Sequence, residues 1–146
     1  MKKTSVSNFN LRVYAIIISA ENILLSHELI NGENIIKFPG GGVEYGEGTI
    51  EALQREAKEE MNLNLKDVKH FYTTDFFQQS SFIKSDQLIC IYYLASLEKD
   101  IFSSINFNQP TKDHPTFCWY NVNKLTKKMF HFPIDRHVYS LVKQMF

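Results

Sequence analysis

Leu11 to Ser19 is a β-branched, apolar run, and Asn22 to Leu29 repeats the pattern, so the chain opens with two predicted strands. Asn31-Gly32 is a tight-turn pair, after which Ile35 to Phe38 forms a short apolar run that leads into consecutive glycines. The period then changes. Ile50, Leu53, Ala57 and Met61 fall on one stripe of a helix at 100° per residue. Two long strand patterns follow, Lys69 to Gln78 and Gln87 to Leu97, joined around Ser80, Ser81, Lys84 and Ser85. A polar stretch from Lys99 to Pro115 precedes a strand at Phe117 to Val122. The last helix starts at Pro133, a first-turn position, and carries Ile134, Val138, Leu141, Val142 and Met145 at helical spacing. The order predicts an α/β fold, with a mixed β-sheet between helices.

The helix at the centre of this order has a second face. Glu56, Glu59 and Glu60 occupy an arc beside its apolar stripe. Like charges this close oppose helix formation by roughly a few tenths of a kcal/mol per pair, which makes the cluster costly unless cations occupy it. Mg2+ takes oxygen ligands and favours sites where one or two carboxylates share the ion with substrate phosphates. An acidic helix that also carries Lys58 would, taken alone, serve equally well as a solvated surface. The preceding residues decide against that. Gly40, Gly41 and Gly42 follow Phe38-Pro39, and glycine there permits close backbone approach and positive φ. Three in succession suit a loop wrapped around an ion better than a simple turn.

Residues 39 to 63 hold five of the six glycines, and the segment reads G-x5-E-x7-R-E-A-x-E-E-x-N-L from Gly41 through Leu63. It resembles the Nudix box of the Nudix hydrolases, whose charged and glycine positions it matches. Two positions depart from the pattern: Ala57 replaces a larger aliphatic residue, and Asn62 replaces the closing glycine. Asparagine is the next best residue for the left-handed conformation that ends a helix. The resemblance spans nearly the whole chain and implies a Nudix α/β/α sandwich formed by a single domain, residues 1–146. It implies metal ligands at Glu56, Glu59, Glu60 and the Gly40 carbonyl, with Mg2+, or Mn2+, as cofactor. It places Glu56, Glu59 and Arg55 in the catalytic set and Gly41 and Gly42 at the substrate. Arg55 and Glu47 are expected to orient the others, since Arg55 precedes Glu59 by four residues and can hold it as an ion pair.

With 146 residues and 44% apolar content, the chain can bury one full core and is short for two. Sixteen basic residues balance sixteen acidic ones, so no global field draws in long nucleic acid or an anionic membrane. Met1-Lys2-Lys3 is followed by Ser5, Ser7, Asn8 and Asn10, with Arg12 interrupting the nearby apolar run, so a mature cytoplasmic protein is expected and not a signal peptide. Cys90 and Cys118 lie in strand-like runs and read as two buried free thiols. The expected partner is a small nucleoside diphosphate derivative, with a homodimer allowed.

The resemblance implies hydrolysis of a nucleoside diphosphate linked to another group. The anhydride repels a water nucleophile by its own charge, and a cation neutralises that charge and aligns the attack. The general base is open between Glu56 and a residue after the sheet, Glu98, Asp100 or Asp113, with His114 a weaker choice. Downstream substrate signatures are absent: residues 78–82 are Gln-Gln-Ser-Ser-Phe. Phe76, Phe77, Phe82, Tyr92 and Tyr93 could stack on a base, but alternating aromatics on strands are expected in the core. Lys124, Lys127 and Lys128 read as a solvated helix end. The alternative is a catalytically weak nucleotide-binding or sensor module of the same fold; such modules lose box acids, whereas Glu47, Glu56, Glu59 and Glu60 are all present here. No G-K-[ST] triplet supports a Walker-type hydrolase.

Overall fold

The computed structural model describes residues 5–98 and 115–146. Seven strands and two helices follow in the order β1 (Asn8–Ser19), β2 (Asn22–Ile30), β3 (Glu33–Lys37), β4 (Gly40–Gly42), α1 (Thr49–Met61), β5 (Leu65–Thr73), β6 (Asp86–Leu97), β7 (Thr116–Asn121) and α2 (Pro133–Lys143). β1 pairs antiparallel with β4 on one side and parallel with β6 on the other, and β6 carries β5 antiparallel. β2 lies between β3 and β7, antiparallel to both. The two groups meet only where Ile18 and Ser19 pair with Ile23 and Asn22, so they part beyond that corner and leave room between them.

Both faces of β1 are covered, which explains its continuous apolar run. Val13, Ala15 and Ile17 pack on the side of α1, with Ala52, Leu53 and Ala57. Tyr14 and Ile16 pack on the opposite side with Ile134, Val138 and Val142 of α2. The mixed sheet therefore sits between two helices, as the pattern predicts. Asn31 and Gly32 both take positive φ, 50° and 81°, in the β2–β3 turn, the arrangement that joins tight hairpins.

Several expectations are corrected. The glycines form strand β4, paired with β1, and do not make a free loop. On α1, Ala52 replaces Ile50 in the buried stripe; Ile50 is 43% exposed because the first turn overhangs the sheet, and Met61 is half-buried. β5 begins four residues before Lys69 and stops at Thr73, because the Thr74 hydroxyl and amide both bond the Cys90 backbone and end the ladder. Phe76, Phe77 and Phe82, expected in the core, fall beyond that end and are exposed, whereas Tyr92 and Tyr93 are buried. Both cysteines are free thiols, but only Cys90 is buried; Cys118 is half-buried. In α2, Met145 lies past the helix and is exposed, and Asp135 and Tyr139 join the buried face. Lys124, Lys127 and Lys128 lie in two short 3-10 turns and are solvated.

Candidate active site

The site is built where β4 runs beneath α1. At the start of the helix, Glu51 accepts from the Gly48 amide at 3.1 Å. At its end, Asn62 adopts φ 55° and ψ 40°, and its amide donates to Lys58 at 3.0 Å. Asparagine thus closes the helix as glycine would, and the geometry of the last turn is kept.

Arg55 organises the acids. Its Nε and Nη2 donate to the two carboxylate oxygens of Glu47 at 2.9 and 2.7 Å. Its Nη1 donates to Glu56 at 3.0 Å and to Glu59 at 3.2 Å, and Nη2 also reaches the Gly42 carbonyl at 2.9 Å. All five N–H donors of the fork are thereby used. The expected Arg55–Glu59 pair is present, and the contact of Arg55 with Glu47 is a finding of the structure. The Arg55 hydrogen bonds, with one from the Glu44 amide, hold the Glu47 carboxyl down at about 2, and the same contacts raise the Arg55 pKa.

Close approach makes the glycines necessary. A Cβ on Gly40, whose φ is +154°, would lie 2.0 Å from the Val13 carbonyl oxygen, which is backbone and cannot yield. A Cβ on Gly41 would lie 2.5 Å from the Glu56 carboxylate. Gly41 is the paired residue opposite Val13, so antiparallel alternation turns the carbonyls of Gly40 and Gly42 away from β1. That of Gly42 meets Arg55. Gly40 shares a crevice with Glu56 and Glu60.

Glu60 is the perturbed acid of the set. Burial, with Glu56 and Glu28 facing it, pushes its carboxyl up to about 7, against the opposing pull of Lys37. Among the described residues, no three His, Cys, Asp or Glu side chains stand close enough to hold an ion by themselves. The structure brings Gly40, Glu56 and Glu60 together and leaves Glu59 exposed beside Arg55. Two carboxylates and a carbonyl are a hard-oxygen set, suited to a cation whose remaining ligands come from water and phosphate. Glu98 lies apart, bonded by Asn64 at 3.2 Å beside the C-terminal end of α1. Asp100, Asp113 and His114 lie outside the described residues.

The gap between the two strand groups is a cavity of about 180 Å³, and the sequence reading did not find it. Arg12, Tyr14, Glu28, Lys37, Tyr92 and Asp135 line it, with Phe82 and Phe132 meeting edge to face at its rim. Tyr92 donates to the Asp135 carboxylate at 2.5 Å. Burial pushes Asp135 up to about 6, against the Tyr92 hydrogen bond and the Lys37 charge. The available signal was a charged residue inside each apolar run: Arg12 in β1, Lys37 after Ile35-Ile36, Asp135 two residues after Pro133.

A model of the NUDIX domain matches residues 9–142. An RNA pyrophosphohydrolase of Francisella philomiragia is 32% identical over 103 residues, 60% of this chain and 64% of that one, so the match spans less than two thirds of the relative. A MutT NUDIX hydrolase structure from Burkholderia pseudomallei superposes with a TM-score of 0.71 at 19% identity, covering 93% of this chain and 99% of that one. A NUDIX hydrolase from Nitrosomonas europaea gives a TM-score of 0.70 at 16% identity, covering 91% and 88%. At these identities the two structures speak for the fold alone. No helix among the described residues is long and apolar enough to cross a membrane.

Proposed function

The chain belongs to the NUDIX family, and from that premise we propose that it is a hydrolase of acid anhydrides that cleaves the pyrophosphate linkage of a nucleoside diphosphate derivative with Mg2+ or Mn2+. The observation that carries this reading is the saturated Arg55 fork, which fixes Glu47, Glu56 and Glu59 in one arrangement against the glycine strand. A binding module has no need to immobilise so many acids on one cation. Preorganised charge of this kind is what lowers barriers in phosphoryl transfer.

Glu56, Glu60 and the Gly40 carbonyl are the groups that would hold the cation, with Glu59, held by Arg55 at 3.2 Å, as the further carboxylate within reach of the same helix face. The cation, when bound, neutralises the charge that builds on the anhydride oxygens. Arg55 keeps Glu56 and Glu47 from drifting towards solvent. Glu56, packed on Gly41, is the described acid best placed to take a proton from the attacking water. Gly41 and Gly42 let the substrate approach the backbone. We take residues 1–146 to act as one cytoplasmic domain on a small nucleotide, a nucleotide sugar, a dinucleotide or a nucleoside triphosphate. The 5′ end of an RNA, the kind of substrate named for the Francisella relative, offers the same linkage.

Turnover of such a panel, assayed with Mg2+, with Mn2+ and with chelator, tests the reading. Metal-dependent release of phosphate or a mononucleotide from at least one member is expected. Absence of turnover across the panel at every metal concentration would leave the binding-module reading in its place.

A further inference from the structure

Phe76, Phe77, Phe82 and Ile83 stand in the connection between β5 and β6, residues 74–85, and are 41, 57, 41 and 52% exposed. The connection is braced by its own bonds. The Ser80 amide donates to the Asp86 carbonyl at 2.9 Å, the Leu88 amide donates to the Gln78 carbonyl at 2.9 Å, and the Ser80 hydroxyl accepts from the Phe82 and Ile83 amides at 3.2 and 3.1 Å. Large apolar side chains are thus fixed on the surface. The start of α2 joins them into one patch, since Phe76 meets His137 edge to face at 5.6 Å and Phe82 meets Phe132 in the same way at 5.9 Å. Those two contacts are five residues apart, roughly 7.5 Å along a helix. Phe77, the most exposed of the four, makes no ring contact among the described residues.

Size and charge say what covers this patch. At these exposures the four side chains present roughly 400 Å² of apolar surface, a size at which such a patch marks an interface. An interface of ordinary size buries about 800 Å² per partner, somewhat over half of it apolar, so the patch is large enough to form the centre of one. Its charges are of both signs and lie at opposite ends. Asp75 opens the connection, beside the Thr74 bonds to Cys90, and Lys84 closes it, beside Ser85, whose carbonyl accepts from the Asn8 amide. Cys90 and Asp86, where those ends join β6, are roughly 13 Å apart along the strand. A two-fold axis through the middle exchanges the ends, which sets Lys84 of each copy against Asp75 of the partner subunit. Arg136, between the two ring contacts, is turned onto the Phe130 and His131 carbonyls. An anionic membrane or nucleic acid would require a cationic excess, which Lys84 and Arg136 against Asp75 do not supply. Phe9, Leu11 and Tyr45 form a second exposed apolar group, but the charges lining its groove are Glu44, Glu47 and Asp86, so two copies would repel one another there.

We propose that a second copy of this chain docks here, forming a two-fold dimer through the β5–β6 connection and the start of α2, with Phe77 at its centre and reciprocal Lys84–Asp75 pairs at its ends. The chain carries no net charge, so two copies approach without long-range repulsion. α1 packs on the opposite side of the sheet from α2, so the acids of each copy stay outside the contact.

Sedimentation equilibrium of the full chain, from about 1 to 500 µM, tests this, because an interface of this size holds in the micromolar range. A monomer–dimer equilibrium that stops at the dimer is expected, as a two-fold contact closes on itself. Phe77→Asp should raise the dissociation constant about thirtyfold or more, the effect of losing a central aromatic anchor, while its dilute melting temperature stays that of the wild type. Tyr45→Asp, on the other apolar group, should leave the equilibrium unchanged. Lys84→Asp should weaken the dimer about fivefold, and Lys84→Asp/Asp75→Lys should return it to within about twofold of the wild type, since the exchange rebuilds both pairs. A monomer at every concentration, growth beyond the dimer, a dimer indifferent to Phe77→Asp, or a charge exchange that fails to restore it would each overturn the proposal. So would a monomer that floats with anionic phospholipid vesicles, which would assign the patch to a membrane.

Discussion

The acid helix and the inter-sheet cavity adjoin each other, yet they are made in opposite ways. The first is local: β4 and α1 follow one another in sequence, and Glu47, Arg55, Glu56 and Glu59 are joined through bonds that span at most 13 residues, from Arg55 to Gly42. The second is assembled from β1, β2, β3, β6 and α2, and its tightest bond, Tyr92 to Asp135, joins residues 43 apart. A local site tolerates change in the rest of the fold and depends on a few close approaches. A distributed site depends on how the two strand groups part.

The largest effect expected from breaking this contrast comes at the glycines. Gly40→Ala forces a Cβ against the Val13 carbonyl and should cost about 3 kcal/mol or more, read as a lowered denaturation midpoint. Gly41→Ala meets only the movable Glu56 carboxylate, so it should stay folded and lose activity. Equal destabilisation by the two would mean that the strand yields more readily than its contacts suggest.

Next in size, Glu60→Gln should cut turnover about a hundredfold while leaving the fold intact. Asp135→Asn, in the cavity, should raise KM with a smaller change in kcat. If Asp135→Asn proved the more damaging to kcat, the division between an acid site and a binding cavity would be wrong.

A pH series sharpens the comparison further, because the groups titrate in opposite senses. Glu60 is raised from 4.5 to about 7 and Asp135 from 3.8 to about 6, so the folded state holds their protons more tightly than the unfolded chain. Their stabilising contribution is present at low pH and lost as pH rises through those windows. Glu47, lowered from 4.5 to about 2, contributes above pH 4.5 and loses that contribution as pH falls towards 2. Metal-free melts should therefore decline between about pH 4.5 and 7, and Glu60→Gln should flatten the decline. Millimolar Mg2+ should raise the melting temperature at pH 7 by mass action, and should do so much less in a Glu56/Glu59/Glu60→Gln variant. An equal metal response in the two proteins would place the cation elsewhere.

The smallest effect belongs to Glu59→Gln on stability, roughly 0.3–0.5 kcal/mol for an exposed i,i+4 pair. Its effect on turnover should be far larger than on stability if Glu59 leaves Arg55 to join the cation. Parallel small losses would restrict it to a surface ion pair.

Much of this protein was legible in one dimension. The periods gave six of the seven strands and both helices in the right order, and the four-residue spacing of Arg55 from Glu59 foretold their ion pair. The asparagine end of α1 behaved as its backbone preference requires. These features depend on neighbours within a few turns of chain, where period and propensity act directly. What only the tertiary structure decided was every property that depends on a partner far along the chain. The glycines became a strand because β1 offered them a ladder. Phe76, Phe77 and Phe82 became exposed because Thr74 ended β5 early. Lys37, Arg12 and Asp135 became a cavity because β1 and β2 separate after a single corner. A charged residue inside an apolar run is only an irregularity in sequence; that the fold takes it out of water and pairs it with a residue of another element, as with Lys37 and Glu28 or Asp135 and Tyr92, is what periodicity cannot express.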